Sequence, residues 1–87
     1  MTSKTSPRFR QLLKQLPLEI QRLAIAKYRL WMDDPFFPTL HFKEIRPPLW
    51  SVRINQDYRA PGRRYDELIV WFWIGTHREY DRLLKSL

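Results

Sequence analysis

Trp50-Ser51-Val52-Arg53-Ile54-Asn55-Gln56-Asp57-Tyr58-Arg59-Ala60 is the stretch whose reading decides the fold. Its period is two: Trp50, Val52 and Ile54 alternate with Ser51, Arg53 and Asn55, the pattern of a half-buried strand. Tyr58 and Ala60 then alternate with Asp57 and Arg59. Asn55-Gln56-Asp57 reads as a three-residue turn built from residues that tolerate left-handed backbone. With that turn, Ile54 faces Tyr58, Arg53 faces Arg59 and Val52 faces Ala60. Val52, Ile54, Tyr58 and Ala60 fall on the core face. Arg53 and Arg59 stand opposite each other on the other face, which Ser51 and Lys43 can share. Like charges directly opposite on a sheet destabilise it. An anion between them relieves that, which makes the pair a candidate phosphate clamp. The alternatives are two splayed, solvated arginines, or pairing with Asp57 or Glu79.

Before this hairpin the period is helical. Ser6-Pro7 supplies an N-cap hydroxyl and a proline at the first helical position. Phe9, Leu12, Leu13 and Leu16 then line one helix face. Pro17 starts a second helix with Ile20, Leu23, Ala24 and Trp31 on its apolar side, ending at Asp33-Asp34-Pro35. Residues 6–33 therefore read as a helical hairpin with a tight joint. Period two begins at Leu40, with Leu40 and Phe42 alternating with His41 and Lys43. Pro47-Pro48 marks a turn. Arg63 to Glu67 reads as a polar turn, and Leu68 to Ile74 as a central strand apolar on both faces. After Gly75, which lets the chain turn sharply, Thr76 and Glu79 form a capping box. Tyr80, Leu83, Leu84 and Leu87 follow at helical spacing. The expected fold is α+β: an N-terminal helical hairpin packed on a small antiparallel sheet of three or four strands, with a short C-terminal helix.

Length and composition narrow the function. The chain has 87 residues, and domains usually run about 100–200, so residues 1–87 are expected to form a single domain. Such a chain buries only about 60% of its unfolded surface. It has no cysteine, which excludes disulfides, thiolate metal sites and a cysteine nucleophile. No apolar run approaches the roughly 18 residues of a membrane span. The basic, acid-poor start up to Glu19 is shared with organelle transit peptides. It also carries core residues, so it reads as a plain first helix of a cytoplasmic protein. Sixteen Lys+Arg, eleven of them Arg, against nine Asp+Glu give a net charge of +7. A small domain this basic suits a polyanionic partner such as RNA, DNA or an acidic protein segment. There is no metal-ligand spacing, and with only two glycines there is no phosphate-binding glycine loop. No metal and no cofactor are expected. The Leu16-Pro17 joint is too short for a helix-turn-helix. A sheet on which Trp50, Trp71 or Trp73 stacks bases is a further possibility.

His77 sits at the first turn of the last helix. Imidazole both takes and gives protons near neutrality. Tyr80, three residues on, can share its face. The plainer alternatives are a surface residue for His77 and a core aromatic for Tyr80. His41 and His77 are the only histidines, with no evident carboxylate partner.

Leu40-His41-Phe42-Lys43, Trp50-Ser51-Val52-Arg53-Ile54, Tyr58-Arg59-Ala60 and Trp71-Phe72-Trp73-Ile74-Gly75-Thr76-His77-Arg78-Glu79-Tyr80 together resemble the RelE/ParE superfamily of bacterial toxins, on its RelE/HigB-like side. These are the toxin halves of type II toxin–antitoxin pairs, and the resemblance covers nearly the whole chain. It implies a metal-independent endoribonuclease, an mRNA interferase that blocks translation by cutting mRNA on the ribosome. It also implies a cognate antitoxin that covers the basic cleft. By the same resemblance, Arg53 and Arg59 bind phosphate and the transition state. His77 transfers protons, Tyr80 positions or stacks the nucleotide, and Lys43 and Ser51 bind RNA. Two other readings belong to the same likeness: a ParE-like toxin that poisons DNA gyrase without a nuclease site, and an inactive antitoxin- or RNA-binding relic. The family opens with a strand, for which only Met1 to Thr5 is available. Ser51 stands where the well-known nucleases carry lysine. Pro61 follows Arg59-Ala60, so the strand there is expected at an edge, bulged or broken.

Overall fold

The computed structural model describes all 87 residues. In chain order the elements are β1 (Thr2–Thr5), α1 (Pro7–Lys14), α2 (Leu18–Asp33), a 3-10 turn (Pro38–Leu40), β2 (Lys43–Arg46), β3 (Leu49–Arg53), β4 (Tyr58–Tyr65), β5 (Leu68–Trp71), β6 (Gly75–Thr76) and α3 (His77–Ser86). The strands form one sheet in the order β1-β5-β4-β3-β2, with β6 continuing beside β4. The hairpin of α1 and α2 packs on one face. The shorter α3 packs on part of the other. This is the expected α+β arrangement.

The helix signals act as the sequence implies. Ser6 accepts from the Phe9 amide, and Pro7 occupies the first turn of α1. At the tight joint, the Gln21 amide donates to the carbonyls of Lys14 and Leu16, at 3.2 and 2.8 Å. Those carbonyls have no partner inside α1, so the side chain substitutes for the missing helical bonds. Thr76 and Glu79 form the capping box of α3, with both reciprocal bonds present.

The sheet differs from expectation in four places. First, Thr2–Thr5 is a strand, and it runs parallel to β5. A parallel neighbour needs a long connection, so no local period reveals it. Second, residues 63–65 extend β4 rather than turn. The turn is Asp66-Glu67 alone, with Asp66 in the left-handed region at φ 56°. Third, Pro38 opens a 3-10 turn that ends on a left-handed His41, so the strand expected from Leu40 begins at Lys43. Leu40 is buried nonetheless.

The fourth difference follows from proline. The segment expected as a strand from Leu68 to Ile74 breaks after Trp71 and resumes at Gly75. Gly62 pairs with Trp71, whereas Arg59 pairs with Gly75. Residues 72–74 thus oppose only Ala60 and Pro61, one residue more than regular pairing allows. Pro61 cannot donate to the ladder, and its carbonyl accepts from the Phe72 amide at 3.3 Å. The bulge lies beside the missing donor, where the regular ladder is already interrupted, so proline is accommodated in the middle of the sheet. Gly75 is needed for space rather than for a turn. Its φ is not positive, and a Cβ there would lie 2.5 Å from the Trp73 ring.

The core lies between the hairpin and the sheet. Trp31 stacks edge-on against Phe42 and Trp71, with Ala24, Val52, Ile54, Ala60 and Ile69 around them. Trp71 is therefore closed to a base. Trp50 is half-buried against Phe42 with the Arg64 guanidinium over its ring, and Trp73 covers Gly75. The tryptophans build the interior and its rim, not a stacking surface.

Candidate active site

On the face away from the core, β3 and β4 pair Arg53 directly with Arg59, and Ile54 N–H bonds to Tyr58 carbonyl at 3.0 Å. The turn is Asn55-Gln56-Asp57, as expected, but it uses no left-handed residue. The Asn55 side-chain oxygen closes it instead, accepting from the Asp57 and Tyr58 amides at 2.8 and 2.9 Å. That local bond gives asparagine its turn preference.

The arginine pair has the electrostatics that opposed like charges impose. Arg59 is held below the usual arginine range, first by burial and then by the neighbouring Arg53; Tyr80, Asp81 and Asp57 oppose the shift. Neither Asp57 nor Glu79 bridges the pair. Part of Arg59 is engaged: one terminal nitrogen donates to the carbonyls of Asn55, Gln56 and Tyr58 at 2.6, 3.2 and 3.0 Å. Arg59 thus fastens the turn while standing beside Arg53, a division of its donors that the strand pattern does not reveal.

An open cleft of about 280 Å³ lies over this pair, just below the range of about 300–1,000 Å³ for ligand sites. His41, Lys43, Ser51, Arg53, Arg59, His77 and Tyr80 line it, with Ile45 and Leu84. All six residues singled out from sequence meet here. Lys43 is paired with Ser51 in the sheet, placing β2 at one wall. His77 and Tyr80 come from α3 at the other, with ring centroids 6.3 Å apart. The His77 amide donates to the Asp57 carbonyl at 2.7 Å, tying the start of α3 to the hairpin turn. Two larger and more open hollows adjoin the cleft, sharing His41 and Arg53 on one side and His77 on the other.

Tyr80 is both core and cleft residue. It is only 5% exposed, and its hydroxyl is buried with no hydrogen-bond partner. A buried donor without a partner costs about 1–3 kcal/mol, so the ring lines the cleft while its hydroxyl is held out of solvent at the expense of the fold. Sequence reasoning passed over two residues. Asp81 places a carboxylate oxygen 3.6 Å from His77 Nε2. The signal was the i, i+4 spacing on α3. His41 reaches the cleft beside Lys43 from the end of the 3-10 turn, outside the strand that alternation from Leu40 implies.

No protein-family model and no curated protein matches the sequence. Solved structures match the fold. The RelB-RelE antitoxin-toxin complex from Methanococcus jannaschii is 16% identical, with TM-score 0.72, covering 91% of this chain and 96% of that one. YafQ from E. coli is 14% identical with TM-score 0.69, covering 90% and 94%. The RelBE2 toxin-antitoxin complex from Mycobacterium tuberculosis is 22% identical with TM-score 0.65, covering 87% and 96%. The opening strand β1, the sheet it joins and the cleft under α3 are thus parts of a chain with the RelE-like fold.

Proposed function

We propose that this chain is the toxin half of a type II toxin–antitoxin pair, and that its cleft cuts mRNA. The observation that carries the reading is convergence. Lys43, Ser51, Arg53, Arg59, His77 and Tyr80, drawn from four elements, line one cleft of a basic domain. The reaction that suits them is attack by a ribose 2′-hydroxyl on the adjacent phosphorus. It passes through a pentavalent dianion and releases the 5′-oxygen, leaving a 2′,3′-cyclic phosphate. Arg53 and Arg59 neutralise the dianion, and their mutual repulsion falls as the negative charge grows. His77 moves a proton. The Tyr80 ring, part of the cleft wall, positions the nucleotide by packing. Lys43 and Ser51 hold a flanking phosphate, and the adjoining hollows continue the path of a single strand. The reaction needs no metal in this scheme.

The partner follows from the neighbours, several of which were solved as antitoxin–toxin complexes. An acidic antitoxin segment laid over the cleft would cover the same cations that bind RNA. A target on the translating ribosome places the protein in the cytoplasm; no helix is long and apolar enough to cross a membrane. The test is expression of the chain with and without its antitoxin, reading growth, mRNA ends and DNA integrity together. Growth arrest with mRNA cut inside codons is expected. Arrest with broken DNA and intact mRNA would replace this reading by a gyrase-directed one.

A further inference from the structure

The cleft contains both histidines of the chain. His41 and His77 lie 36 positions apart, one after the 3-10 turn and one at the start of α3, yet both line the cleft that holds Arg53 and Arg59. Phosphoryl transfer by a 2′-hydroxyl needs two proton transfers, one from the attacking oxygen and one to the departing oxygen. The other ionisable side chains in the lining are of lysine, arginine and tyrosine type, whose ordinary range lies far above neutrality. Imidazole is the one side-chain type there that ordinarily both takes and gives protons near it.

His41 is also held in an unusual way. Its backbone is left-handed, with φ 46° and ψ 42°. For a residue other than glycine this costs about 1–3 kcal/mol and persists only where the surroundings enforce it. The surroundings here are its two neighbours, Leu40 and Phe42, both buried in the core. A bond of 3.3 Å from the His41 amide to the Pro38 carbonyl closes the turn. The backbone is anchored on both sides while the imidazole itself stays exposed at the cleft. A side chain that contributes nothing to the core, carried on strained backbone, is placed for what it meets in the cleft.

We infer that His41 is a second proton-transfer group, sharing the two transfers with His77 across the Arg53–Arg59 pair. The inference rests on the ribonuclease reading above. In the step, a new bond forms between the 2′-oxygen and phosphorus while the bond from phosphorus to the 5′-oxygen breaks. The 2′-hydroxyl proton passes to one imidazole, and the other, protonated, gives its proton to the 5′-oxygen. The enzyme ends with the two protonation states exchanged, and solvent restores them. Charged neighbours of His41 are Lys27 from α2, Lys43 from β2, Arg53 from β3 and Arg59 from β4. Those of His77 are Asp57 in the turn, Arg78, Tyr80 and Asp81 on α3, and Lys43, Arg53 and Arg59 in the shared cleft.

The experiment is single-turnover cleavage of ribosome-bound mRNA across pH by the wild-type chain, His41→Asn and His77→Ala. Asparagine tolerates left-handed backbone, so His41→Asn removes the imidazole and keeps the turn. His41→Gly serves if asparagine fails to fold, and free imidazole is then added to restore the rate. The wild-type profile should be bell-shaped. His41→Asn should lose about 10²–10⁴-fold, the range of a general acid–base group, and should lose one limb of the bell. A substrate with sulfur at the 5′-bridging position needs no proton to depart, so it rescues whichever variant lacks the acid. Parent-rate cleavage by His41→Asn overturns the inference and leaves the ribonuclease reading standing. A loss that is equal at every pH, with both limbs intact, overturns it too, since His41 would then act only as a contact. A wild-type chain that never cuts RNA removes both.

Discussion

The two faces of the sheet are made by the same strands and serve opposite ends. On the hairpin face, Val52, Ile54 and Ala60 meet Trp31, Phe42 and Trp71, and the interior is closed. The indole N–H groups of Trp31 and Trp71 are buried without partners, so packing there prevails over complete hydrogen bonding. On the α3 face, one residue along each strand, stand Ser51, Arg53, Arg59 and Pro61, and the covering helix leaves a cleft. A side-chain period of two produces both faces at once. The comparison teaches that one register sets the core and the proposed site together. A substitution on one face should therefore register in melting, and on the other in activity.

The largest expected effect falls on the hairpin face. Trp31→Ala removes a ring that is 1% exposed and touches Phe42 and Trp71. Truncations of this kind cost about 3–5 kcal/mol. That is a large share of the stability of a small domain, so thermal melting should find the variant largely unfolded or melting far lower. A variant that melts like the parent would break the division of labour between the faces.

The next effect belongs to the cleft. His77→Ala should lower single-turnover cleavage by about 10²–10⁴-fold while melting stays near the parent, because the side chain is exposed at the first turn of α3. Tyr80 sharpens the contrast, since it belongs to both regions. Tyr80→Phe removes a buried hydroxyl that has no partner. Its stability should hold or rise, by less than about 1 kcal/mol, and it should lose less cleavage than His77→Ala. A Tyr80→Phe variant that is both destabilised and fully inactive would make the hydroxyl structural.

The smallest expected effect on stability concerns the arginines. Burial and Arg53 lower the pKa of Arg59. A cation whose folded value lies below its unfolded one weakens folding while it is charged, and relief comes only as pH rises through that lowered value. That relief lies in strongly alkaline solution, so this pair adds no pH dependence near neutrality. Neutralising Arg53 supplies the relief directly. Arg53→Gln should raise stability by about 0.2–1 kcal/mol, the scale of one cross-strand pair, and less as salt screens it.

Much of this was legible in the sequence because it is local. Alternation from Trp50 to Ala60 and a turn of the right length place Arg53 opposite Arg59. Thr76 and Glu79 announce the cap that fixes His77. Pro61 announces an irregularity, and only its form, a bulge in mid-sheet, required the partner strand. What was not legible is long-range. The parallel pairing of β1 with β5 joins residues more than sixty positions apart. The left-handed backbone of His41 depends on buried neighbours on both sides. The bonds from Arg59 to three carbonyls depend on how a long side chain folds back, which no spacing encodes.

The central claim is that the α3 face holds an anion site where two arginines are kept together for chemistry at some expense to the fold. Single-turnover cleavage of ribosome-bound mRNA by Arg53→Gln tests it most directly, with melting followed on the same sample. The account predicts a rate lower by about 10²–10³-fold, the usual loss of one transition-state-stabilising donor, in a protein at least as stable as the parent. Cleavage at the parent rate, or a loss of rate that merely follows a loss of stability, would contradict it.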